Sequence, residues 1–246
     1  MELLVTLRGK PLFWLFATLA CIVLENIPSV DTYVQQLFFQ HGEWLISKAF
    51  HNNHKFLLYT GPKIILVCIG AAFLFLFGAT FFFQFDKAQL RQWRKPALLI
   101  VLSLVFIPLA IFTLKWLTGV YSPIDVLPFG GKHQHIGFIS HLYTYGTVGG
   151  GRSFPAGHAS GGFALMALYY LPVRNVMRKF LLSLGLLAGW SMGVYQMARG
   201  EHFLSHTLTT MFLALVVITF CEKAHSLLRK IVTLATRLCN LSFLSM

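Results

Sequence analysis

Gly149-Gly150-Gly151-Arg152-Ser153-Phe154-Pro155-Ala156-Gly157-His158 is the stretch on which the reading of this chain turns. Three glycines free the backbone to turn N–H groups toward a ligand. Arg152 adds a planar fork of donors suited to phosphate oxygens. Pro155 suits a first helical turn, where its missing N–H costs nothing. The helix start that follows offers unpaired N–H donors and the positive end of a dipole, an anion site. His158, about one turn in, is placed to exchange a proton with the same anion. The residues after it are apolar, so the anion is expected on a molecule held at a membrane.

Composition agrees. Of 246 residues, 56% are hydrophobic and 11% charged, against about 25% charged in soluble domains. This is the profile of an integral membrane protein. Cys21, Cys68, Cys221 and Cys239 lie in or beside apolar segments without paired spacing. They read as small packing residues, not a disulfide framework or a zinc knuckle. The net charge of +12 fits cytoplasmic loop charge and an anionic ligand, and no nucleic-acid partner is expected. No small-residue cleavage site follows the first apolar run, which is taken as a permanent span.

Six apolar segments are long enough to cross a bilayer as helices: 11–29, 62–84, 97–117, 155–173, 180–198 and 204–221. The expected fold is all-α, one polytopic membrane domain over 1–246, with six transmembrane helices and a core signature at 115–206. Gly161 and Gly162 place the fourth span at the bundle centre, where small residues allow close approach. Residues 30–61, rich in aromatic and His side chains, are expected to lie along the interface. Thirteen of the 20 Lys and Arg fall before span one, between spans two and three, between four and five, and after six. That side is cytoplasmic by the positive-inside rule, with both termini on it.

The same topology gathers three polar clusters on the opposite face. Lys115 ends span three and precedes Tyr121-Ser-Pro-Ile-Asp125. Arg152 and His158 open span four. Gln196-Met-Ala-Arg199-Gly-Glu201-His202-Phe-Leu-Ser-His206 joins spans five and six. Singly, each has a structural reading. Lys115 can snorkel, His158 can satisfy a helix interface, and Arg199 can flank a span. His202 and His206, four apart, share one helix face, where one orients the other or both bind a metal. The loop residues His133, His135 and His141 read as solvated or as touching headgroups, and Asp125 as capping a turn or pairing with a base. Together, Lys115, Arg152, Arg199, His158 and His202 fit a phosphoryl-transfer site. The cations hold nonbridging oxygens, one imidazole attacks phosphorus and the other protonates the leaving oxygen. No acidic pair suited to magnesium is visible, so no metal or cofactor is expected.

Three motifs carry a resemblance. Lys115-x6-Ser122-Pro123, Pro155-Ala156-Gly157-His158 and Tyr195-Gln196-x5-His202-x3-His206 are similar to the signature Lys-x6-Arg-Pro, Pro-Ser-Gly-His, Ser-Arg-x5-His-x3-Asp of the type 2 phosphatidic acid phosphatase superfamily. All three spacings hold, in order. The resemblance implies that His202 forms a phosphohistidine and that His158 is the general acid. It also implies that Lys115 and the backbone of Ala156 and Gly157 bind phosphate. Ser122, Ala156, Gln196 and His206 depart from the signature. Arg199 and Arg152 are the expected replacements for the lost arginines, and His206, for the lost aspartate, would fix the tautomer of His202. Glu201 or Asp125 is the candidate for the missing negative charge. A bacterial branch with Pro-Ala-Gly-His and Arg-Gly-x-His-Phe-x-Ser-His segments resembles this variant. The implied protein is a lipid phosphatase of a bacterial cytoplasmic membrane with an extracytoplasmic site and a lipid phosphate as substrate. The competing readings are a noncatalytic phospholipid-binding or scramblase-like protein and a metal-dependent membrane hydrolase.

Overall fold

Apolar runs dictate long helices here, and the helices decide which ends of the chain meet. The computed structural model describes residues 11–82, 87–145 and 150–244. Arg8, Lys10 and Gly149 lie outside them, as do the side chains of Lys87, His141, Arg237 and Cys239. The elements are α1 (Pro11–Glu25), α2 (Pro28–Gln35), a hairpin of β1 (Phe39–Gln40) and β2 (Glu43–Trp44), α3 (Lys48–Lys55), α4 (Gly61–Phe82), α5 (Lys87–Thr118), α6 (Phe138–Tyr145), α7 (Gly157–Ala164), α8 (Asn175–Ala198) and α9 (Leu204–Leu244). A π-helical turn, Phe56–Thr60, fuses α3 to α4, so that one helix runs over Lys48–Phe82.

Four helices among the described residues are long and apolar enough to cross a membrane: Lys48–Phe82, Arg91–Asp125, Asn175–Ala198 and Leu204–Leu234. The number is five if α1 and α2, bent by 81°, count as one span. The first expected span is therefore broken near Asn26–Ile27, just before the helix-starting Pro28. The expected fourth span is shorter than its hydropathy suggests. It consists of the 8 residues of α7 and a 6-residue 3-10 segment, Leu165–Tyr170, and its core is almost wholly buried. Residues 30–61 do not form one interfacial helix. They supply α2, the hairpin and the first turns of the Lys48–Phe82 helix.

Phe163, Ala164, Met166 and Ala167 are fully buried against α5, α8 and α9. Glycines make that possible. A Cβ at Gly162 would stand 2.5 Å from the Gly189 nitrogen, and one at Gly185 would stand 2.5 Å from that of Met166. Backbone cannot yield as a side-chain tip can, so Gly162→Leu is expected to cost about 3 kcal/mol. Thermal unfolding in detergent checks this, with Gly78→Leu as control, because a Cβ at Gly78 meets nothing within 4 Å.

The bundle has two chemically different ends. At one, Lys95 of α5 bridges Glu222 of α9 at 2.7 Å. Lys115 lies 20 residues further along α5, about 30 Å away at 1.5 Å per residue. At that second end buried acids fix the helix starts. Glu25 accepts from the Phe138 N–H (2.9 Å) at the head of α6. Asp31 accepts from the N–H (3.0 Å) and the hydroxyl of Ser205 at the head of α9. Asp31 of α2 thus serves as an N-terminal cap for α9, an arrangement that matches acid to helix dipole.

Candidate active site

Lys115 occupies the last turn of α5, and the chain after it forms the floor of the site. The Thr118 hydroxyl donates to the Phe154 carbonyl (2.7 Å). Gly151 N–H donates to Gly119 O (3.0 Å), and Ser153 N–H to Val120 O (2.9 Å). Gly150 N–H reaches the Tyr121 hydroxyl (3.3 Å). These N–H groups were expected to face an anion. They hold the Gly150–Ser153 strip against the loop after α5 instead. A Cβ at Gly151 would collide with the Val120 carbonyl, so the glycine is needed for backbone-to-backbone approach.

Helix α7 begins two residues later than the sequence suggests. Ala156 is its N-cap and Pro155, after a cis peptide, lies outside it. The Ala156 N–H, expected at the phosphate, donates to the His206 carbonyl (3.2 Å). The Thr210 hydroxyl returns a bond to the Ala156 carbonyl (3.1 Å). These two bonds lock the second motif to the third. The anion-binding capacity of the turn then rests with the N–H groups that follow Ala156, starting at Gly157. Gly157 also makes room for Lys115, since a Cβ there would stand 3.2 Å from Nζ. The His158 ring packs on Tyr59 (centroids 4.2 Å apart), and its Nε2 is buried without a partner among the described residues.

The third motif turns at Gly200, whose φ of +76° favours glycine. Trp44 packs directly on this turn: a Cβ at Gly200 would stand 2.5 Å from its ring. Gln35 Nε2 donates to Met197 O (2.7 Å) and Ile46 N–H to Ala198 O (3.1 Å). The segment 30–61 is thus a clamp on the loop that carries His202. Phe203 anchors that loop, fully buried among Val126, Phe129 and Trp44.

His202 is 4% exposed and His206 is fully buried, with ring centroids 5.8 Å apart. Between them lies a residue that the motifs did not single out. The Ser153 hydroxyl lies 3.1 Å from His202 Nδ1, 3.1 Å from His206 Nδ1 and 2.6 Å from the Glu201 carbonyl. Burial, and after it the charge of Lys115, holds the pKa of His202 well below the ordinary imidazole value. Its resting form is neutral, with one ring nitrogen carrying a lone pair.

One cavity of about 410 Å³ is lined by Lys115, Arg152, Ser153, His158, Arg199 and His202, and also by Ser122, Gln196 and Glu201. The structure therefore brings together Lys115, Arg152, Arg199, His158 and His202, contributed by three separate stretches of chain. Arg199 is held by Gln196 Oε1 (2.7 Å) and Glu201 Oε1 (3.1 Å). Arg152 stacks on Trp116, with 3.3 Å from guanidinium carbon to ring centre. His206 does not line the cavity. It lies behind His202, where it can position but not touch a ligand. Glu201 faces Arg199, and Asp125 accepts from the Ser122 hydroxyl. Neither bonds the His202–His206 pair.

His51, Lys55 and Tyr59 complete the lining from the Lys48–Phe82 helix, and sequence reasoning missed them. Their spacing of four residues, one helical face, was the available signal. His51 Nδ1 is 2.6 Å from the Tyr195 hydroxyl. A second opening, about 580 Å³, runs down the bundle between α4 and α5 past Leu66, Gly70, Leu74, Leu104 and Val105. It is apolar, and His158 lines both spaces.

Of the loop histidines, His135 differs from expectation, and His141 has its side chain outside the described residues. His135 is not solvated: it stacks on Phe203 (4.2 Å, 8°) with Nδ1 3.2 Å from Thr32 Oγ1, and burial lowers its pKa to about 4. His133, exposed, stacks on Tyr121 at 3.8 Å. Among the described residues no group of three His, Cys, Asp or Glu is close enough to hold a metal ion.

No curated protein and no solved structure matches the chain. A family model described as the PAP2 superfamily matches residues 96–230, more than half of the sequence. That span contains Lys115, the Pro155–His158 turn, and His202 with His206, the same residues that the fold draws to one end of the bundle, and the chain belongs to the PAP2 superfamily.

Proposed function

We propose that the protein is a membrane lipid phosphatase working through a phosphohistidine at His202. The observation that carries this reading is the shared lining of His158. His158 borders a polar cavity with four cations on one side and an apolar groove between α4 and α5 on the other. A phosphate on a hydrocarbon chain fits that pairing, with headgroup in the cavity and chain in the groove.

The chemistry follows from the positions. Lys115, Arg152, Arg199 and the N–H groups at the head of α7 take the nonbridging oxygens. His202 Nε2, the nitrogen that Ser153 does not engage, attacks phosphorus. The P–O bond to the lipid breaks, and its electron pair leaves on the lipid oxygen, which takes a proton from His158. Water then gives a proton back to His158 and attacks the phosphohistidine, releasing inorganic phosphate and the free imidazole. The protein itself supplies the charge stabilisation, from fixed cations in a half-enclosed site.

The finer topology belongs to this reading. The bent α1–α2 pair and the buried α7 with its 3-10 extension count as crossings, giving six. The site faces the extracytoplasmic side of a bacterial cytoplasmic membrane, and the basic end marked by Lys95 faces the cytoplasm.

The test is phosphate release by purified protein from a panel of lipid phosphates and diphosphates, with His202→Ala as blank. Release from at least one lipid, absent in the blank, supports the reading. Phospholipid binding with no release from any member contradicts it. The groove gives a separate prediction. Leucine fits at position 70, where a Cβ would make ordinary contact with Leu104 (3.6 Å). Gly70→Leu is expected to raise KM for a long-chain lipid phosphate by about tenfold, the effect of blocking burial of one or two methylenes. It should leave a water-soluble phosphate ester unaffected.

A further inference from the structure

We propose that Ser153 is the positioning residue that sets the tautomer of His202, by accepting the Nδ1 proton of that ring. The inference deepens the phosphatase reading and rests on His202 being its nucleophile.

A serine hydroxyl has one proton and two lone pairs. At 2.6 Å from Ser153 Oγ lies the Glu201 carbonyl, which can only accept. The Ser153 proton is therefore committed to Glu201. Two imidazole Nδ1 atoms remain, each 3.1 Å from the same oxygen. An unprotonated Nδ1 would set lone pair against lone pair, so both rings must carry a proton at Nδ1 and donate it to Ser153. Each neutral imidazole has one ring proton. His202 is thereby left with its lone pair on Nε2, the nitrogen that can attack.

The arrangement is enclosed. Ser153 and His202 are each 4% exposed and His206 is fully buried, which leaves little room for water to stand in for the hydroxyl. Ser153 is itself held by its N–H bond to Val120 and by the Thr118 bond to the next residue. His206 does not orient His202 directly, because its Nδ1 is engaged by Ser153. It is a second donor to the same oxygen. The task that a carboxylate performs in a carboxylate–histidine pair falls here to a hydroxyl whose own proton is tied down by a main-chain carbonyl.

The experiment has a spectroscopic arm and a kinetic arm. Nitrogen NMR of histidine-labelled protein in micelles, with His202 assigned by its loss in His202→Ala, reports which ring nitrogen is protonated. The expected wild-type signal is protonated Nδ1 and bare Nε2. Ser153→Ala should give a mixture of tautomers and a kcat about 100-fold lower, with KM within about threefold. Adding His206→Asp to Ser153→Ala should restore the single tautomer and most of the lost kcat, since a carboxylate at 206 accepts from Nδ1. A wild-type His202 protonated at Nε2 overturns the proposal, and that spectrum decides the matter even if Ser153→Ala does not fold. So does a folded Ser153→Ala with unchanged tautomer and kcat. The tautomer is read without turnover, so a failure of the phosphatase reading leaves this arm intact and distinguishable.

Discussion

His202→Ala is expected to lower kcat for lipid phosphate hydrolysis by about 10⁴-fold or more, to the level that binding and charge stabilisation alone provide. The size follows from the cavity. His202 combines a neutral imidazole, held so by burial, with one nitrogen fixed by Ser153 and the other unengaged by it. Lys115 and Arg199 are cations without a free pair, and Ser153 has its proton committed to Glu201. Phosphate release by purified variant and wild type, normalised to folded protein by thermal unfolding, measures the effect. A residual rate within about tenfold of wild type would mean that water attacks phosphorus directly and that His202 acts only as a base.

His158→Ala is the second large effect, and its size should depend on the leaving group. A lipid alcohol is a poor leaving group and needs a proton as the P–O bond breaks. Loss of the general acid should therefore cost about 10² to 10⁴ in kcat. An aryl phosphate, whose phenolate leaves without a proton, should lose much less, about tenfold, from lost binding contacts alone. His158 is placed for this role by the N-cap at Ala156 and by Tyr59 beneath its ring, and its buried Nε2 has no partner among the described residues. A loss equal for both substrates would assign His158 to binding instead of proton transfer. Rates with the two substrates on the same preparation make the comparison.

How much of this was legible beforehand depends on the distance over which each feature is encoded. Spans Lys48–Phe82, Arg91–Asp125, Asn175–Ala198 and Leu204–Leu234 could be read because apolar length is a local property. The site residues Lys115, Arg152, His158, Arg199 and His202 could be gathered because helix ends and loop charge fix which termini share a face. What the sequence concealed was pairing between distant backbones. The glycines at 150 and 151 looked like an anion cradle, yet their N–H groups belong to Tyr121 and Gly119. Whether a glycine admits a ligand or another strand is not written in its neighbours. The same holds for Ala156, whose N–H goes to His206.

Residues 30–61 were misread for a related reason. Their aromatics suggested an interface helix, but Trp44 is matched to Gly200 and Gln35 to Met197, partners more than 150 residues away. Hydropathy likewise overstated span four. Its apolar residues face protein and not lipid, with Phe163, Ala164, Met166 and Ala167 fully buried, and a buried segment need not be as long as the bilayer is thick. The departures from the family signature also resolve locally. Gln196, in the place of an arginine, steers Arg199 into the cavity, and Ser153 stands where the replaced aspartate would have been needed.

The central claim is that His202 Nε2 carries the phosphoryl group between lipid and water. The most direct measurement is a rapid base quench of wild-type protein turning over a radiolabelled lipid phosphate, followed by proteolysis and mapping of the label. The account predicts an acid-labile, base-stable phosphohistidine, substituted at Nε2, in the peptide containing His202. Steady phosphate release with no protein-bound label, or label on a different residue or on Nδ1 of His202, would contradict it.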